Sequence, residues 1–166
     1  MSEIKWKLAS GKTWRMKLAE DHPSHGKMVP IPPAMQKRLG KGTMLIPQPR
    51  KVDAFMRKVR KGKLATGSWL RARLAGEAGA TASCALTTGI FIKIVANAAE
   101  EDRADGKKRV TPYWRTIKDG GKLNDKYPGG VKAQAAKLRE EGFTIQAGKG
   151  KQPPRVKDYE QFLMGA

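Results

Sequence analysis

The sequence has very little of several residue types, and each shortage excludes a kind of site. Cys84 is its one cysteine, so the chain can form no internal disulfide and no cysteine-based zinc cluster. His22 and His25 are its two histidines, and since no cluster of further ligands accompanies them, we expect no metal and no other cofactor. No run approaches the ~18 apolar residues of a membrane span. The N-terminus mixes lysines with tryptophans and lacks the apolar stretch of a secretory signal, so we expect a cytoplasmic protein, nucleoid-associated if bacterial.

Acidic residues are also scarce. Fifteen Asp and Glu stand against 34 Lys and Arg, which gives a formal net charge of +19. Such a chain is expected to bind polyanions, with nucleic acid the leading candidate, although charge alone fits RNA as well as DNA. At 166 residues and 39% hydrophobic content, we expect one domain with a modest core and an appended arm.

Residues 1–50 are predicted to form a basic extension rich in proline. Trp6 and Trp14 lie among lysines and arginine in this extension, a pattern that can stack on nucleic-acid bases. The alternative is a flexible basic arm that happens to contain tryptophans. A short helix is predicted from Pro33 to Gly40, followed by a short strand in 42–47.

Two helices further along are predicted to form a helix-turn-helix. After a first helix over 52–59, a second begins near Thr66 or Ser68 and ends around 76–79. A third begins near Ser83 and closes at about 100–103. Two helices joined by a glycine-containing turn are a helix-turn-helix candidate, whose second helix presents its N-terminal residues to DNA.

The predicted DNA contacts follow from that geometry. On the recognition helix they are Leu86, Thr87, Thr88 and Lys93. A pure packing role for Leu86 is an equally open alternative. In the basic turn 60–63, Lys61 and Lys63 are predicted phosphate contacts, and the alternative is a solvated turn.

The stretch Val110–Ile117 is predicted to be a constrained loop that enters a strand, because Pro112 precedes a short aromatic and β-branched run. Tyr113 and Trp114 beside Arg115 suit a site that meets a base or a phosphate. The alternative is an ordinary core strand with Trp114 packed inside. The glycine pair that follows at 120–121 indicates a turn and a small β-wing.

The rest of the chain completes the predicted domain organisation. The predicted elements are a helix over 131–141, a strand over 143–145, a basic linker over 148–155 and an amphipathic helix over 156–164. The predicted parts are an extension (1–50), a winged helix domain (51–147) and a linker with a C-terminal helix (148–166). The predicted fold class is therefore mainly α with a small β-wing: a winged helix-turn-helix DNA-binding domain with a basic N-terminal arm.

Several of these segments resemble one known family. Pro112-Tyr113-Trp114-Arg115-Thr116-Ile117 resembles the Pro-Cys-His-Arg-Val-Ile motif of the O6-alkylguanine-DNA alkyltransferases. It also resembles Pro-Trp-His-Arg-Val-Ile in the alkyltransferase-like proteins, which lack the acceptor cysteine. The run 59–66 resembles the family's Val-Pro-x-Gly-x-Val-x-Thr segment, 118–120 its next turn, and Gly129-Gly130 with 137–142 its Gly-Gly and Leu-x-x-Glu-Gly tail. The four segments occur in the family's order over about 52–145.

The resemblance implies the winged helix-turn-helix fold and a pocket for a flipped base, formed here by Pro112, Tyr113 and Trp114. It places Tyr113 at the acceptor position and Trp114 at the histidine position, while Arg115 is retained. A phenol with a pKa of ~10 is a poor nucleophile at neutral pH, so no alkyl transfer is expected. The family's arginine finger aligns with Leu86, and its phosphate-rotating tyrosine aligns with Gly67.

These matches and departures together predict a non-enzymatic DNA-binding protein that resembles the alkyltransferase-like proteins. Its expected partner is double-stranded DNA, with O6-alkylguanine as the candidate lesion and repair proteins as candidate partners. One alternative is a divergent methyltransferase that uses Cys84 as the acceptor. The other is a general basic nucleic-acid-binding protein, for which RNA stays a possible ligand.

Overall fold

The structure is a computed structural model, and it describes residues 8–165. Trp6, one of the two tryptophans predicted to stack on bases, lies outside the described residues. The α-helices of the described part are α1 (Trp14–Leu18), α2 (Pro33–Leu39), α3 (Pro49–Arg57), α4 (Gly67–Ala78), α5 (Ala85–Ala104) and α6 (Gly130–Glu140). The strands are β1 (Met28–Pro30), β2 (Thr43–Leu45), β3 (Ala65–Thr66), β4 (Ala82–Ser83), β5 (Thr116–Ile117), β6 (Ile145–Gln146) and β7 (Arg155–Val156). The protein is therefore mainly helical, as predicted.

Local sequence signals mark several helix ends, although α1 was not predicted and α3 begins at Pro49 instead of at Val52. Pro33 and Pro49 occupy first-turn positions, where the missing amide proton costs no helical hydrogen bond. The Thr66 hydroxyl accepts a hydrogen bond from the amide of Trp69 at 3.1 Å and so caps α4. Gly79 ends α4 in the left-handed conformation, with φ of 71°.

The strands form three small sheets. In the first, β2 lies between β1, which is antiparallel to it, and β4, which is parallel. Strands β3 and β5 pair in parallel, with Ala65 opposite Thr116. Strands β6 and β7 pair antiparallel.

Two hydrophobic clusters form the core. The first packs α3, α4 and α5 together, and it includes the buried rings of Tyr113 and Tyr127. The second lies between α6, β5 and the C-terminal segment, around Leu64, Leu138 and Val156, each of which is fully buried. Trp114 packs against both clusters. The Val110–Ile117 stretch is thus the point where the two halves of the core meet.

The described part of residues 1–50 is packed against the helices. The backbone amides of Trp14 and Arg15 donate to the Glu101 carboxylate, each at 2.9 Å. The Arg15 guanidinium pairs with Asp105 at 2.5 Å and with Asp102 at 3.4 Å. By accepting these hydrogen bonds, the Glu101 carboxylate satisfies backbone N–H groups that the start of a helix leaves without a partner. The three-part division of the chain stays a prediction, but α1 is docked on α5.

The strand predicted across Tyr113 to Ile117 is corrected. Residues Tyr113–Arg115 form a single 3-10 turn, and only the next two residues are in β5. The amide of Arg115 donates to the carbonyl of Pro112 at 3.1 Å, which closes the turn. The turn places the Tyr113 ring in the first cluster.

The elements after this turn also differ from the prediction. The turn at Gly120 and Gly121 is present, with φ of 81° and 83°, but the next bridge joins Lys122 to Arg155 of the C-terminal segment. The predicted C-terminal amphipathic helix is wrong, because residues Tyr159–Phe162 form only a 3-10 turn. The strand predicted over 143–145 is β6, shifted towards the C-terminus.

The C-terminal segment is extended because it pairs with the chain ahead of β3. The amide of Leu64 donates to the carbonyl of Phe162, and the amide of Met164 donates to the carbonyl of Leu64, both at 2.8 Å. Backbone pairing of this kind takes the hydrogen-bonding groups that a helix would need.

Candidate nucleic-acid interface

The start of α5 carries the most exposed large apolar side chain of the described residues. Strand β4 leads into α5, and Cys84 stands at its N-cap. Leu86, in the first turn, is 75% exposed. An apolar side chain placed so openly at a helix N-terminus is suited to insertion between stacked bases. The alternative that Leu86 serves only in core packing is wrong, because most of the residue is exposed.

The two threonines after Leu86 differ in their environment. Thr87 is half-buried, and its hydroxyl donates to the Cys84 sulfur at 3.2 Å. The predicted DNA contact of Thr88 is wrong, because this residue is 0% exposed and its hydroxyl lies 3.2 Å from that of Ser83. Thr88 fixes the turn before α5 and faces no groove.

Lys93 lies on the same face of α5 as Leu86, since seven residues make nearly two helical turns. It is half-buried and lines a cleft between α5 and the N-terminal segment. No carboxylate pairs with its ammonium among residues 8–165. Its charge is thus available to an anion, but within the cleft.

The basic turn after α3 carries Lys61 and Lys63, which are the predicted phosphate contacts. Lys61 is exposed and Lys63 is half-buried. Gly62 between them has a φ of 84°, which a residue with a side chain rarely adopts. Within the described range neither lysine pairs with a carboxylate. Both charges can therefore meet phosphates.

Tyr113 is enclosed, which corrects the prediction that its ring lines a pocket for a flipped base. Only 1% of it is exposed, and the rings of Trp114 and Tyr127 meet it edge-on, with centroids 5.4 and 5.0 Å away. Its hydroxyl donates to the Glu100 carboxylate at 2.6 Å. Burial, together with the hydrogen bond to Glu100, raises the pKa of the Tyr113 phenol above its ordinary value. A phenol held neutral in this way is no nucleophile at neutral pH.

Trp114 is the half-buried member of the predicted pocket, beside half-buried Pro112. Its indole N–H donates to Glu141 at 2.8 Å. The Lys137 ammonium lies 5.1 Å from the centre of its ring, a cation–π distance. The Arg115 guanidinium lies 5.8 Å from the same ring centre. Trp114 is thus less enclosed than Tyr113, although it packs against both core clusters.

The predicted DNA contact of Arg115 is corrected as well. Its guanidinium pairs with Glu141 at 2.8 Å, with side-chain exposures of 14% and 9%. A further N–H donates to the carbonyl of Val59 at 2.8 Å. Since its donors are directed inward, Arg115 joins α3, α6 and the 3-10 turn and leaves little for a phosphate.

Sequence reasoning missed the carboxylates that hold these groups. Glu100 was placed only at the end of the third helix, and Glu141 only in the tail that resembles the family's Glu-Gly. The structure directs Glu100 to Tyr113 and Glu141 to both Trp114 and Arg115. Their separation along the chain gave no signal for these pairings.

Residues 8–165 contain no group of three or more His, Cys, Asp or Glu side chains arranged to hold a metal. Within the same residues, no helix combines the length and apolar character needed to cross a membrane.

The helices and small sheets form an alkyltransferase-like fold. The structure is similar to that of S. pombe Atl1 in complex with damaged DNA containing O6-carboxymethylguanine, with a TM-score of 0.51 and 18% sequence identity. The match covers 71% of this chain and 94% of that chain. No protein-family model and no curated protein matches the sequence. The resemblance predicted from the motifs is thereby confirmed at the level of the fold.

Proposed function

We propose that this protein binds double-stranded DNA in the manner of alkyltransferase-like proteins and transfers no alkyl group. The observation that carries the proposal is the start of α5, where Leu86 is 75% exposed on a scaffold similar to that of a DNA-bound protein. Leu86 enters the base stack where the family has an arginine finger. An inserted apolar side chain partly unstacks a base step and kinks the duplex.

Phosphate contacts hold the protein on the duplex. The net charge of +19 supports strong attraction, and the available ammonium groups of Lys61 and Lys63 are the proposed local contacts. Thr87, next to Leu86, is proposed to contact the sugar-phosphate backbone of the DNA. Such contacts position a protein without reading sequence.

The absence of transfer is proposed from Tyr113 and Cys84. Tyr113, at the acceptor position, is a buried neutral phenol hydrogen-bonded to Glu100. Cys84 is half-buried at the N-cap of α5, on the helix that enters the duplex and away from the 3-10 turn in sequence. Alkyl transfer needs a nucleophile aimed at the flipped base, and the enclosed Tyr113 phenol is not available as one.

Recognition of an alkylated guanine is proposed to use Trp114. The Tyr113 ring is enclosed, whereas the half-buried Trp114 ring offers an aromatic surface. Stacking on an aromatic contributes about 1–3 kcal/mol per base, which offsets part of the few kcal/mol needed to flip it. Repair proteins are the proposed further partners of such a complex.

The test is titration of matched duplexes with and without one O6-alkylguanine. We expect the wild type to prefer the lesion by about fivefold or more, because stacking on Trp114 adds about 1–3 kcal/mol. Trp114→Leu should lose the preference while plain-duplex affinity stays the same. Trp114→Phe is the matched control, since it keeps an aromatic face and gives up only the N–H bond to Glu141.

Protein mass measured after the incubation separates the remaining candidates. An unchanged mass is expected, and a gain of one alkyl group on Cys84 would establish a divergent methyltransferase. Equal wild-type affinity for both duplexes would reduce the function to damage-independent DNA binding. Stronger binding to RNA than to duplex DNA would support the general nucleic-acid-binding alternative.

A further inference from the structure

A second candidate site lies away from the Val110–Ile117 stretch, between α5 and the N-terminal segment of residues 8–25. Here the structure has a cleft of about 490 Å³, within the ~300–1,000 Å³ range of small-molecule sites. We call it the α1–α5 cleft. Its walls are mostly apolar and include Leu8, Trp14, His25, Ile90 and Phe91.

The walls of the α1–α5 cleft are held in place. The start of α1 is fixed by the Glu101 carboxylate, which accepts the amides of Trp14 and Arg15 at 2.9 Å. On the other side, the His25 ring meets the Phe91 ring edge-on, with centroids 5.1 Å apart. Because the segment is anchored at both places, the cleft exists before any ligand enters it.

The charges that line the α1–α5 cleft favour an anion. Lys12, Lys17 and Lys93 line it, together with one carboxylate, Glu20. Glu20 pairs with Lys17 at 3.5 Å, so its charge is offset. In the described chain, Lys12 and Lys93 have no carboxylate partner. Two available cations therefore accompany an apolar wall.

We propose that the α1–α5 cleft binds a nucleotide, with the base against the apolar wall and the phosphate at Lys12 and Lys93. A bare anion would leave the aromatic wall unused, and an apolar ligand would leave the two ammonium groups without a partner. A nucleotide satisfies both, because every base has an apolar face and every phosphate a charge. The site goes beyond the proposed duplex contact at Leu86.

The position of the cleft indicates where such a nucleotide comes from. Leu86, Ile90 and Lys93 follow one another at spacings of four and three, which places them on one face of α5. The cleft therefore continues the face that starts at Leu86. An unpaired nucleotide of a DNA strand and a free mononucleotide present the same chemistry, and the experiment distinguishes them.

The experiment measures binding of a labelled single-stranded dT hexamer to the full chain by fluorescence anisotropy. Ile90→Trp fills the cleft without changing charge, and Lys93→Met removes one cation but keeps an apolar stem. Lys108→Met is the matched control, because Lys108 is exposed in the loop after α5. This substitution removes the same charge away from the cleft lining. Thermal unfolding of each variant checks that the fold is retained.

We expect Ile90→Trp and Lys93→Met each to weaken hexamer binding by about fivefold or more, and Lys108→Met by less than about twofold. Displacement of the hexamer by dTMP would show that a mononucleotide suffices. Hexamer binding that dTMP does not displace would identify the strand as the ligand. Both results support the site.

Three outcomes overturn the proposal: no hexamer binding, competition by inorganic phosphate as effective as that by dTMP, or equal losses in Lys93→Met and Lys108→Met with no effect of Ile90→Trp. Duplex affinity is measured on the same proteins. Loss of wild-type duplex binding would remove the proposed function and leave the hexamer result to be judged separately.

Discussion

At the scale of single residues, the aromatic and charged side chains of the Val110–Ile117 stretch are used for packing. The Tyr113 hydroxyl donates to the carboxylate of Glu100, and the Arg115 guanidinium pairs with that of Glu141. The Arg115–Glu141 pair is mostly buried, so removal of one partner leaves an uncompensated charge, which typically costs about 3–5 kcal/mol. The stretch is accordingly a structural junction, in which Trp114 is the half-buried aromatic.

The buried phenols give the protein a predicted loss of stability at high pH. Burial raises the pKa of Tyr113 and of Tyr127 above the ordinary value of about 10. Above pH ~10 the unfolded phenol releases its proton while the folded one keeps it, so rising pH favours unfolding by up to about 1.4 kcal/mol per pH unit and group. The free energy of unfolding of Tyr113→Phe should therefore fall less steeply with pH than that of the wild type.

The measurement is denaturant unfolding at a series of pH values from neutral to alkaline. Tyr127→Phe should reduce the slope in the same way, since its phenol is buried too and donates to the carbonyl of Thr116. Identical slopes above pH ~10 in the wild type and both variants would contradict the assignment of raised pKa values.

At the scale of elements, the turn between α4 and α5 sets the position of Leu86. Helix α4 ends at Gly79 in the left-handed conformation, and β4 then pairs with β2 before α5 begins. The amide of Cys84 also donates to the carbonyl of Leu45 at 2.9 Å. The N-terminal sheet thus fixes the start of the proposed recognition helix.

Gly76 inside α4 and Gly79 directly after it provide a matched test of this turn. Gly79 has a φ of 71°, whereas Gly76 lies inside the helix, and an added methyl group would meet nothing within 4 Å at either position. Gly79→Ala should lower the free energy of unfolding by about 1–2 kcal/mol because of its left-handed backbone. Gly76→Ala should raise it by about 0.5–1 kcal/mol, because alanine loses less backbone entropy.

Denaturant unfolding of the two variants checks the prediction, with Gly76→Ala as the control for an added methyl group. Changes of the same sign in both would contradict the inferred role of Gly79. Lower duplex affinity in Gly79→Ala alone would further connect the turn to the placement of Leu86.

At the scale of the whole molecule, the net positive charge is large, but some of the basic side chains form ion pairs within the protein. Of the 34 basic residues, several are paired internally, among them Arg115 with Glu141 and Lys51 with Glu77. Internal pairing reduces the number of cations that displace counterions from DNA. The salt dependence of binding therefore reports which cations contact phosphates and not the net charge.

We predict that Lys61→Gln/Lys63→Gln reduces the salt dependence of duplex binding. Each phosphate neutralised contributes about −0.9 to the slope of log K against log salt, so the double variant should lose about 1.8 from the magnitude of the slope. Lys51→Gln is the matched control, because Lys51 is exposed and paired with Glu77 at 2.5 Å. Binding measured over a range of salt concentrations gives the slopes, and equal slopes in all three proteins would exclude the two lysines as contacts.

The sequence by itself determined the elements with strong local signals. Pro33 and Gly40 located α2, apolar spacing over 52–59 indicated α3, and the Thr66 cap with the glycines at 76–79 located α4. The motif order over about 52–145 identified the alkyltransferase-like fold. Charge composition indicated a polyanion ligand, and the turn geometry placed Leu86 at the start of α5. The helix signals act within a few residues, while motif order and charge composition are properties of the sequence itself, so none of them needs the tertiary structure.

Only the tertiary structure decided what the side chains of the predicted site contact. The enclosure of Tyr113, the pairing of Arg115 with Glu141 and the docking of α1 on α5 each join residues far apart in the chain. The C-terminal segment is likewise extended because it pairs with Leu64, against its own helical pattern. Burial and pairing across the core override local propensity, since the free energy they contribute exceeds the small preferences of a short segment.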